Sequence, residues 1–217
     1  MKGKQDLPTA RFTSITHFYF KFIEISANGF VWIIGTFLLL ILTPYLQQQN
    51  YILNLLWYLL LDVIIISILK GVFKRSRPNL TITEKEVLLI SVDKYSFPSG
   101  HASRCVLLTF ITIKYLCCNS DIICLKNYLN ENNIIFNISI FNLFNTIILK
   151  LICNFLILFW VISVLISRLY LKRHFISDII CGSFIGIIEF FIFEKYIWLS
   201  NEKCQELLLP YHLHFNY

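Results

Sequence analysis

Two long apolar runs separated by a short polar junction decide how this chain folds. Residues 147–199 read IILKLICNFLILFWVISVLISRLYLKRHFISDIICGSFIGIIEFFIFEKYIWL. Each run has the roughly 20 residues that a helix needs to cross the ~30 Å hydrocarbon core of a bilayer. The junction at 168–178 carries three basic residues, a histidine and an aspartate. This pattern predicts two spanning helices, at 147–169 and 176–199, joined by a polar turn.

The composition extends this conclusion to the whole chain. Of its 217 residues, 57% are hydrophobic and 15% are charged, and the mean hydropathy is +0.66. Soluble domains of this length are less apolar. We predict further spans at 30–46, 52–73 and 102–118, and an amphipathic helix at 11–26 that does not span. The predicted fold class is therefore an all-α integral membrane bundle of about five transmembrane helices plus this N-terminal helix.

The remaining segments fit a single membrane domain. We expect an N-terminal segment at 1–27 without a cleavable signal peptide, a membrane domain at 28–200, and a tail at 201–217. Residues 119–145 contain eight asparagines, and we interpret them as an insertion in a loop or as a short interfacial helix. The seven cysteines show neither metal-ligand spacing nor a disulfide framework.

The net charge of +6 indicates contact with membrane lipids, because the basic residues flank apolar runs. This distribution argues against nucleic-acid binding. The polar residues gather at the ends of the predicted spans, and counting spans places three groups of them on one side of the membrane. Charged residues at such positions are costly, so they mark function. The groups are Lys70, Lys74, Arg75 and Arg77; His101 and Arg104; and Arg168, Lys172, Arg173, His174 and Asp178.

The first two groups have the chemistry of a phosphate site. Lys70 and Arg77 are seven residues apart, so they share a helix face and suit a phosphate. At the start of the third span, Ser99 offers a hydroxyl and Gly100 permits close approach of the backbone. A helix N-terminus also presents free N–H groups to an anion. His101 is placed to protonate a leaving oxygen.

The third group adds a nucleophile. His174 and Asp178 lie four residues apart on a helix, so the carboxylate can accept an imidazole N–H and leave the other nitrogen free to attack. Arg168 supplies a third cation. This side carries no carboxylate cluster that suits Mg²⁺, so we infer no metal and no cofactor.

These groups resemble the three motifs of the type 2 phosphatidic acid phosphatase (PAP2) superfamily, which shares its site with vanadium haloperoxidases. The matching residues are Lys70, Arg77 and Pro78; the Pro-Ser-Gly-His run at 98–101; and Ser167, Arg168, His174 and Asp178. The flanks at 60–62, 91–97, 102–104 and 196–200 are similar to the polyisoprenoid diphosphate phosphatase branch, which includes presqualene diphosphate phosphatase. The resemblance covers 22–200 apart from the insertion.

The resemblance implies hydrolysis through a phosphohistidine on His174, with Asp178 orienting its ring and His101 protonating the leaving oxygen. The phosphoryl oxygens would be held by Lys70, Arg77, Ser99, Gly100 and Arg168. Arg104 would support His101 or contact phosphate. The implied substrates are farnesyl, geranylgeranyl or presqualene diphosphate.

Several alternatives remain open at this point. One is a phosphatase for phosphatidate or sphingoid phosphates, and another is a transferase that passes the phosphoryl group to a second acceptor. A non-catalytic scaffold of the same fold would be expected to lack His101, His174 or Asp178, and all three are present. A small-solute transporter would carry polar residues through the bilayer midplane. The oligomeric state stays open.

Three further expectations concern the membrane. The positive-inside bias places the site in the cytosol, with the endoplasmic reticulum or nuclear envelope as the membrane. Asp62 and Glu189 fall within spans and are predicted to be a buried polar pair that holds helices together. The remaining basic residues at span ends are predicted to be interfacial anchors. They are Lys74, Arg75, Lys172 and Arg173.

Overall fold

The computed structural model describes the backbone of residues 7–43, 46–78, 94–114 and 136–215. Regular structure in these ranges is helical, which confirms the all-α prediction. The helices are α1 (Leu7–Ser26), α2 (Gly29–Leu42), α3 (Leu46–Phe73), α4 (Gly100–Thr112), α5 (Phe136–Tyr170), α6 (Ile176–Ile192) and α7 (Asn201–Phe215). A π-helical turn over Phe193–Ile197 extends α6.

Three of these helices are long and apolar enough to cross a membrane. The spanning segments are Gln49–Phe73 in α3, Ile148–Tyr170 in α5, and Ile176–Ile197 in α6 with its π-helical turn. They confirm the predicted spans at 52–73, 147–169 and 176–199. Large apolar side chains on their outer faces are exposed, among them Phe155 and Phe184. Such surfaces suit lipid, and the protein is an integral membrane protein.

The predicted first span has a different form in the structure. The helix α2 has 14 residues, or about 21 Å, which is less than the thickness of the hydrocarbon core. Its predicted end at 46 is wrong, because Leu46 already begins α3. The segment Ile15–Ser26 of α1 and the helix α2 together form a candidate span bent by 50°. The predicted N-terminal helix is confirmed, and its position outside the bilayer stays a prediction.

The bend between α1 and α2 has a local cause. Asn28 adopts extended backbone angles and its side chain accepts a hydrogen bond from the Phe30 N–H at 2.9 Å. An asparagine in this role satisfies a free N–H at a helix start and begins a new helix.

The third span and the insertion are described only in part. The helix α4 covers 13 residues of the predicted span, and residues 115–135 lie outside the described ranges. For 136–145 the loop interpretation is wrong, because α5 begins at Phe136. These residues alternate asparagine with isoleucine and phenylalanine, and they form the first turns of a 35-residue helix.

The close contact between α4 and α6 positions the site. Gly182 and Gly186 lie one turn apart on α6, and a Cβ atom at these positions would approach the carbonyl oxygens of Ser99 and Ser103 to 2.4 and 2.3 Å. Small residues at this spacing allow two helix backbones to approach closely. As a result, the Ser99 N–H donates to the Asp178 carbonyl at 3.0 Å, which joins the start of α4 to the start of α6.

Candidate active site

The end of α3 is joined to the loop that precedes α4. The Ser96 N–H donates to the Arg75 carbonyl at 2.8 Å, and the Ser96 hydroxyl donates to the Ser76 carbonyl at 3.1 Å. The backbone ends α3 at Lys74, which adopts a left-handed φ of 47°. These bonds place the first two polar groups of the sequence side by side. Lys70 and Arg77 are both buried there. Arg77 lies beyond the end of α3 at Phe73, so the prediction that it shares a helix face with Lys70 is wrong.

The start of α4 carries polar atoms that lack protein partners. Ser99 is the N-cap residue, but its side chain makes no capping hydrogen bond. Its Oγ and the Nε2 atom of His101 are buried, and neither has a hydrogen-bond partner in the described part of the chain. A buried polar atom without a partner is costly. At a helix N-terminus, such atoms are suited to receive an anion.

The turn between α5 and α6 holds His174. His174 precedes Phe175, the N-cap residue of α6, so the prediction that it lies on the same helix as Asp178 is wrong. The Arg168 carbonyl accepts hydrogen bonds from the backbone N–H groups of Arg173 and His174, at 3.1 and 3.4 Å. The His174 Nδ1 atom lies 2.7 Å from the Ser96 carbonyl oxygen and 3.7 Å from Asp178 Oδ2. The backbone carbonyl is therefore the closer acceptor, and the Asp178 carboxylate is farther from Nδ1. Both oxygens favour a proton on Nδ1 and leave the lone pair on Nε2.

Asp178 is held by groups on both sides. Its Oδ2 accepts from the Phe175 N–H at 2.9 Å, and its Oδ1 accepts from the Arg75 guanidinium at 2.8 Å. Arg75 also donates to Ser177 at 2.8 Å and stacks on the Phe175 ring at 4.3 Å. The prediction that Arg75 is only an interfacial anchor is therefore wrong. For Lys74, Lys172 and Arg173 the anchor role stays a prediction.

Three buried cations surround the histidines. The charges of Arg168 and Lys70 act on both rings, and that of Arg77 acts on His174. Burial lowers the pKa of His174 from its usual 6.5 to about 4; Asp178 opposes this shift, and the three cations add to it. The His174 imidazole is therefore neutral at pH 7, as a nitrogen nucleophile must be.

Arg104 belongs to a different cluster. Its guanidinium donates to Asp62 at 2.7 Å and to the Ala27 carbonyl at 3.3 Å. The Ser103 hydroxyl lies 2.7 Å from Asp62 Oδ1 and 3.1 Å from Glu189 Oε2. The predicted buried polar pair of Asp62 and Glu189 is confirmed, with Ser103 between them. Support of His101 by Arg104 stays a prediction.

Sequence reasoning missed two groups beside the site. The first is the Ser96 carbonyl, because a backbone oxygen has no sequence signature. The second is Glu24 on α1, whose Oε1 accepts from Arg168 at 2.6 Å. The only signal for it was that Glu24 is the single acidic residue of α1. In the described residues, no group of three or more His, Cys, Asp or Glu side chains is arranged to hold a metal ion, and metal independence stays a prediction.

Comparison with known proteins identifies the family of this chain. A match to the PAP2 superfamily extends over residues 51–202, which include all three polar groups. A protein of Arabidopsis thaliana named "Probable lipid phosphate phosphatase beta" is 29% identical over 179 residues, which cover 79% of this chain and 76% of that protein. No solved structure matches the chain. Because the superfamily match covers more than half of its residues, the chain belongs to the PAP2 superfamily.

Proposed function

We propose that this protein is a membrane phosphatase that hydrolyses lipid-like phosphates or diphosphates, without a metal, through a phosphohistidine on His174. The superfamily and the Arabidopsis relative support a lipid phosphate phosphatase. The observation that carries the proposal is a neutral imidazole held among three buried cations, next to buried polar atoms of Ser99 and His101 that lack partners in the described residues.

In the first step, His174 Nε2 attacks the phosphorus atom. An N–P bond forms while the bond from phosphorus to the leaving oxygen breaks, and His101 gives that oxygen its proton. Burial and the nearby cations lower the pKa of His101, and an anionic substrate beside the ring opposes this shift and favours the protonated form before the step. Lys70, Arg77 and Arg168 offset the charge on the phosphoryl oxygens in the transition state.

In the second step, water attacks the phosphohistidine. The N–P bond breaks, His101 takes a proton from the water, and inorganic phosphate leaves. The Ser96 carbonyl oxygen, 2.7 Å from Nδ1, holds the His174 ring through both steps, and the Asp178 carboxylate at 3.7 Å attracts the proton on Nδ1. A ring that keeps its orientation needs no rearrangement between attack and hydrolysis.

For the substrate we propose a polyisoprenoid diphosphate such as farnesyl diphosphate. The support is the similarity of the flanking runs at 91–97, 102–104 and 196–200 to that branch. The name of the Arabidopsis relative favours a second candidate, a phosphatase for lipid phosphates such as phosphatidate. Both candidates use the same site and differ in the group that leaves.

The test is phosphate release by the purified protein in detergent with EDTA, with farnesyl diphosphate and phosphatidate offered in parallel. The variant His174→Ala removes the nucleophile. The variant His17→Ala is the matched control, because His17 is an exposed histidine on α1. We expect release from farnesyl diphosphate by the wild type and His17→Ala, and none by His174→Ala.

Other results change the proposal in defined ways. Release from phosphatidate alone keeps the mechanism and removes the polyisoprenoid substrate. Release that requires a divalent cation contradicts metal independence. Folded protein that releases phosphate from neither substrate contradicts the phosphatase proposal and favours a scaffold of the same fold.

We further propose that the site faces the cytosol from the endoplasmic reticulum or nuclear envelope. The support is the positive-inside bias of the basic residues near the N-terminus. Two N-glycosylation sequons test the orientation, Asn79-Leu80-Thr81 on the side of the site and Asn137-Ile138-Ser139 on the other. A glycan on Asn79 in cells would place the site in the lumen and overturn this orientation.

A further inference from the structure

We propose that Glu24, which lies outside the matched residues 51–202, is a positioning residue for Arg168 and so completes the phosphate site. The inference rests on the proposed function, because it assigns Arg168 to phosphate. It makes the N-terminal helix α1 part of the catalytic unit.

The contact between the two residues is short and protected. The Arg168 guanidinium donates to Glu24 Oε1 at 2.6 Å, and the Arg168 side chain is only 2% exposed. The Glu24 side chain is 23% exposed, so water reaches the carboxylate more than the guanidinium. A charge-assisted hydrogen bond of this kind is stronger than a neutral one and fixes the plane of the arginine fork.

The position of Glu24 is set by the whole helix and not by the ion pair alone. The Phe20 ring packs on the Tyr170 ring with centroids 4.4 Å apart. On the other side of Glu24 along α1, the Ser26 hydroxyl accepts from the Trp160 indole at 2.9 Å. Contacts before and after Glu24 therefore hold α1 against α5, and they place the carboxylate at the end of α5 where Arg168 lies.

The corner between α1 and α2 makes a second contact with the site region. Arg104 donates to the carbonyl of Ala27, and a Cβ atom at Gly29 would lie 2.7 Å from the Arg104 guanidinium carbon. Arg104 is one helical turn beyond His101. The N-terminal region thus packs on helices that carry two of the three polar groups, and Glu24 is its charged contact with the phosphate-binding arginine.

The chemical role of Glu24 follows from the shape of arginine. A guanidinium binds phosphoryl oxygens well only when its plane is aligned with them, and a side chain this long has many other rotamers. The Glu24 carboxylate holds one terminal nitrogen and so aligns the group before the substrate arrives. Misplacement of a charged group by about 1 Å can cost roughly 100-fold in rate. Loss of the Glu24 carboxylate should therefore lower kcat much more than it disturbs the packing of α1 on α5.

The experiment measures two quantities in the full-length protein, kcat and KM of phosphate release and the binding of inorganic phosphate by its effect on thermal unfolding. The variants are Glu24→Gln, Glu24→Asp, Arg168→Lys and the double variant Glu24→Gln/Arg168→Lys. Tyr19→Phe is the matched control, because it removes an α1–α5 hydrogen bond, from Tyr19 to Ser163 at 3.5 Å, and leaves the carboxylate in place.

We expect Glu24→Gln to lower kcat by roughly tenfold to 100-fold and to weaken the binding of inorganic phosphate. Glu24→Asp should recover part of the loss, and Tyr19→Phe should stay near the wild type in both measurements. The double variant should be no worse than Arg168→Lys, because Glu24 acts through Arg168.

Two results would overturn the inference. One is full additivity of the Glu24→Gln and Arg168→Lys losses, which would make the residues independent. The other is tighter phosphate binding by Glu24→Gln, which would make Glu24 a competing anion. Failure of the proposed function gives a different pattern, in which the wild type binds phosphate, Glu24→Gln weakens that binding, and neither substrate is hydrolysed.

Discussion

Two clusters of ionisable side chains lie within one apolar bundle, and they differ in how their polar side chains are bonded and in their balance of charge. The site cluster comprises Lys70, Arg77, Ser99, His101, Arg168, His174 and Asp178. The deep cluster comprises Asp62, Ser103, Arg104 and Glu189. In the site cluster, Ser99 Oγ and His101 Nε2 are buried without partners among the described residues. In the deep cluster, both carboxyl groups and the guanidinium bond to one another or to Ser103, and two further atoms, Arg104 Nε and Glu189 Oε1, are buried without partners in the described part of the chain.

The balance of charge follows the same division. Lys70, Arg77 and Arg168 place three cations around the histidines of the site cluster, and Glu24 and Asp178 offset them only in part. The deep cluster has one cation and two carboxyl groups. An excess of cations next to buried donors suits an anionic ligand, whereas side chains that pair across helices hold those helices together. Four predictions test this contrast between a site cluster that binds an anion and a deep cluster that holds helices together.

The largest effect is expected at the nucleophile. His174→Ala should lower the rate of phosphate release by about 10⁴-fold or more, because no other group replaces a lost nucleophile. The unfolding temperature in detergent should change little. Activity within tenfold of the wild type would show that another group carries the reaction. The site cluster would then not be the active site.

The deep cluster should show the opposite pattern. Asp62→Asn leaves the buried Arg104 without its anionic partner, and breaking a buried pair costs about 3–5 kcal/mol of unfolding free energy. Phosphate release below the unfolding transition should stay within about tenfold of the wild type. Chemical unfolding in mixed micelles and activity at low temperature measure the two effects. A catalytic loss as large as that of His174→Ala, with unchanged stability, would contradict the structural role of this cluster.

Two glycines one turn apart allow the clusters to be disturbed separately. Gly182→Ala brings a Cβ to 2.4 Å from the Ser99 carbonyl oxygen, and Gly186→Ala brings one to 2.3 Å from that of Ser103. Each should cost about 1–3 kcal/mol of stability through overpacking. Only Gly182→Ala should also lower kcat by roughly tenfold or more, because it displaces the start of α4.

The control for the glycine pair is Gly71→Ala, since an added Cβ there meets no atom within 4 Å. It should leave stability and activity near those of the wild type. Equal kinetic losses from Gly182→Ala and Gly186→Ala would show that the two clusters form one functional unit.

The smallest effect is expected in the pH dependence. His174 attacks only when neutral, and its pKa is lowered to about 4, so the acid limb of kcat/KM should lie near pH 4 instead of near 6.5. Stopped assays corrected for substrate ionisation measure it. Arg77→Gln removes one of the charges that lower the pKa, so the limb should move to higher pH. A wild-type limb near 6.5, or a shift to lower pH in Arg77→Gln, would contradict the described electrostatics.

The site cluster could be predicted from the sequence to the extent that its residues lie at helix ends. Lys70, His101 and His174 flank apolar runs, and counting spans places them on one side of the membrane. The structure brings these segments together through the Ser96 bonds to the end of α3 and to His174. Contacts that depend on tertiary packing were missed, because Glu24 is 144 residues from Arg168 and Arg75 meets Asp178 only after α3 and α6 pack.

Helix boundaries show a second limit of sequence reasoning. The asparagines at 136–145 favour a loop by composition, but the isoleucine and phenylalanine residues between them continue α5 as a helix. The predicted end of the first span at 46 is too late, because Thr43 adopts extended backbone angles and ends α2. Local polarity is a weak guide where a long apolar helix extends past the membrane.

The most direct test of the central proposal is to trap the phosphoenzyme. Wild-type protein in EDTA would be mixed with terminally ³²P-labelled farnesyl diphosphate or ³²P-labelled phosphatidate and quenched in alkali, with His17→Ala and His174→Ala as paired variants. The proposal predicts a protein-bound label that is stable in alkali and labile in acid, present in the wild type and His17→Ala and absent in His174→Ala. Phosphate release without such a label in the wild type, or a label that persists in His174→Ala, would contradict it.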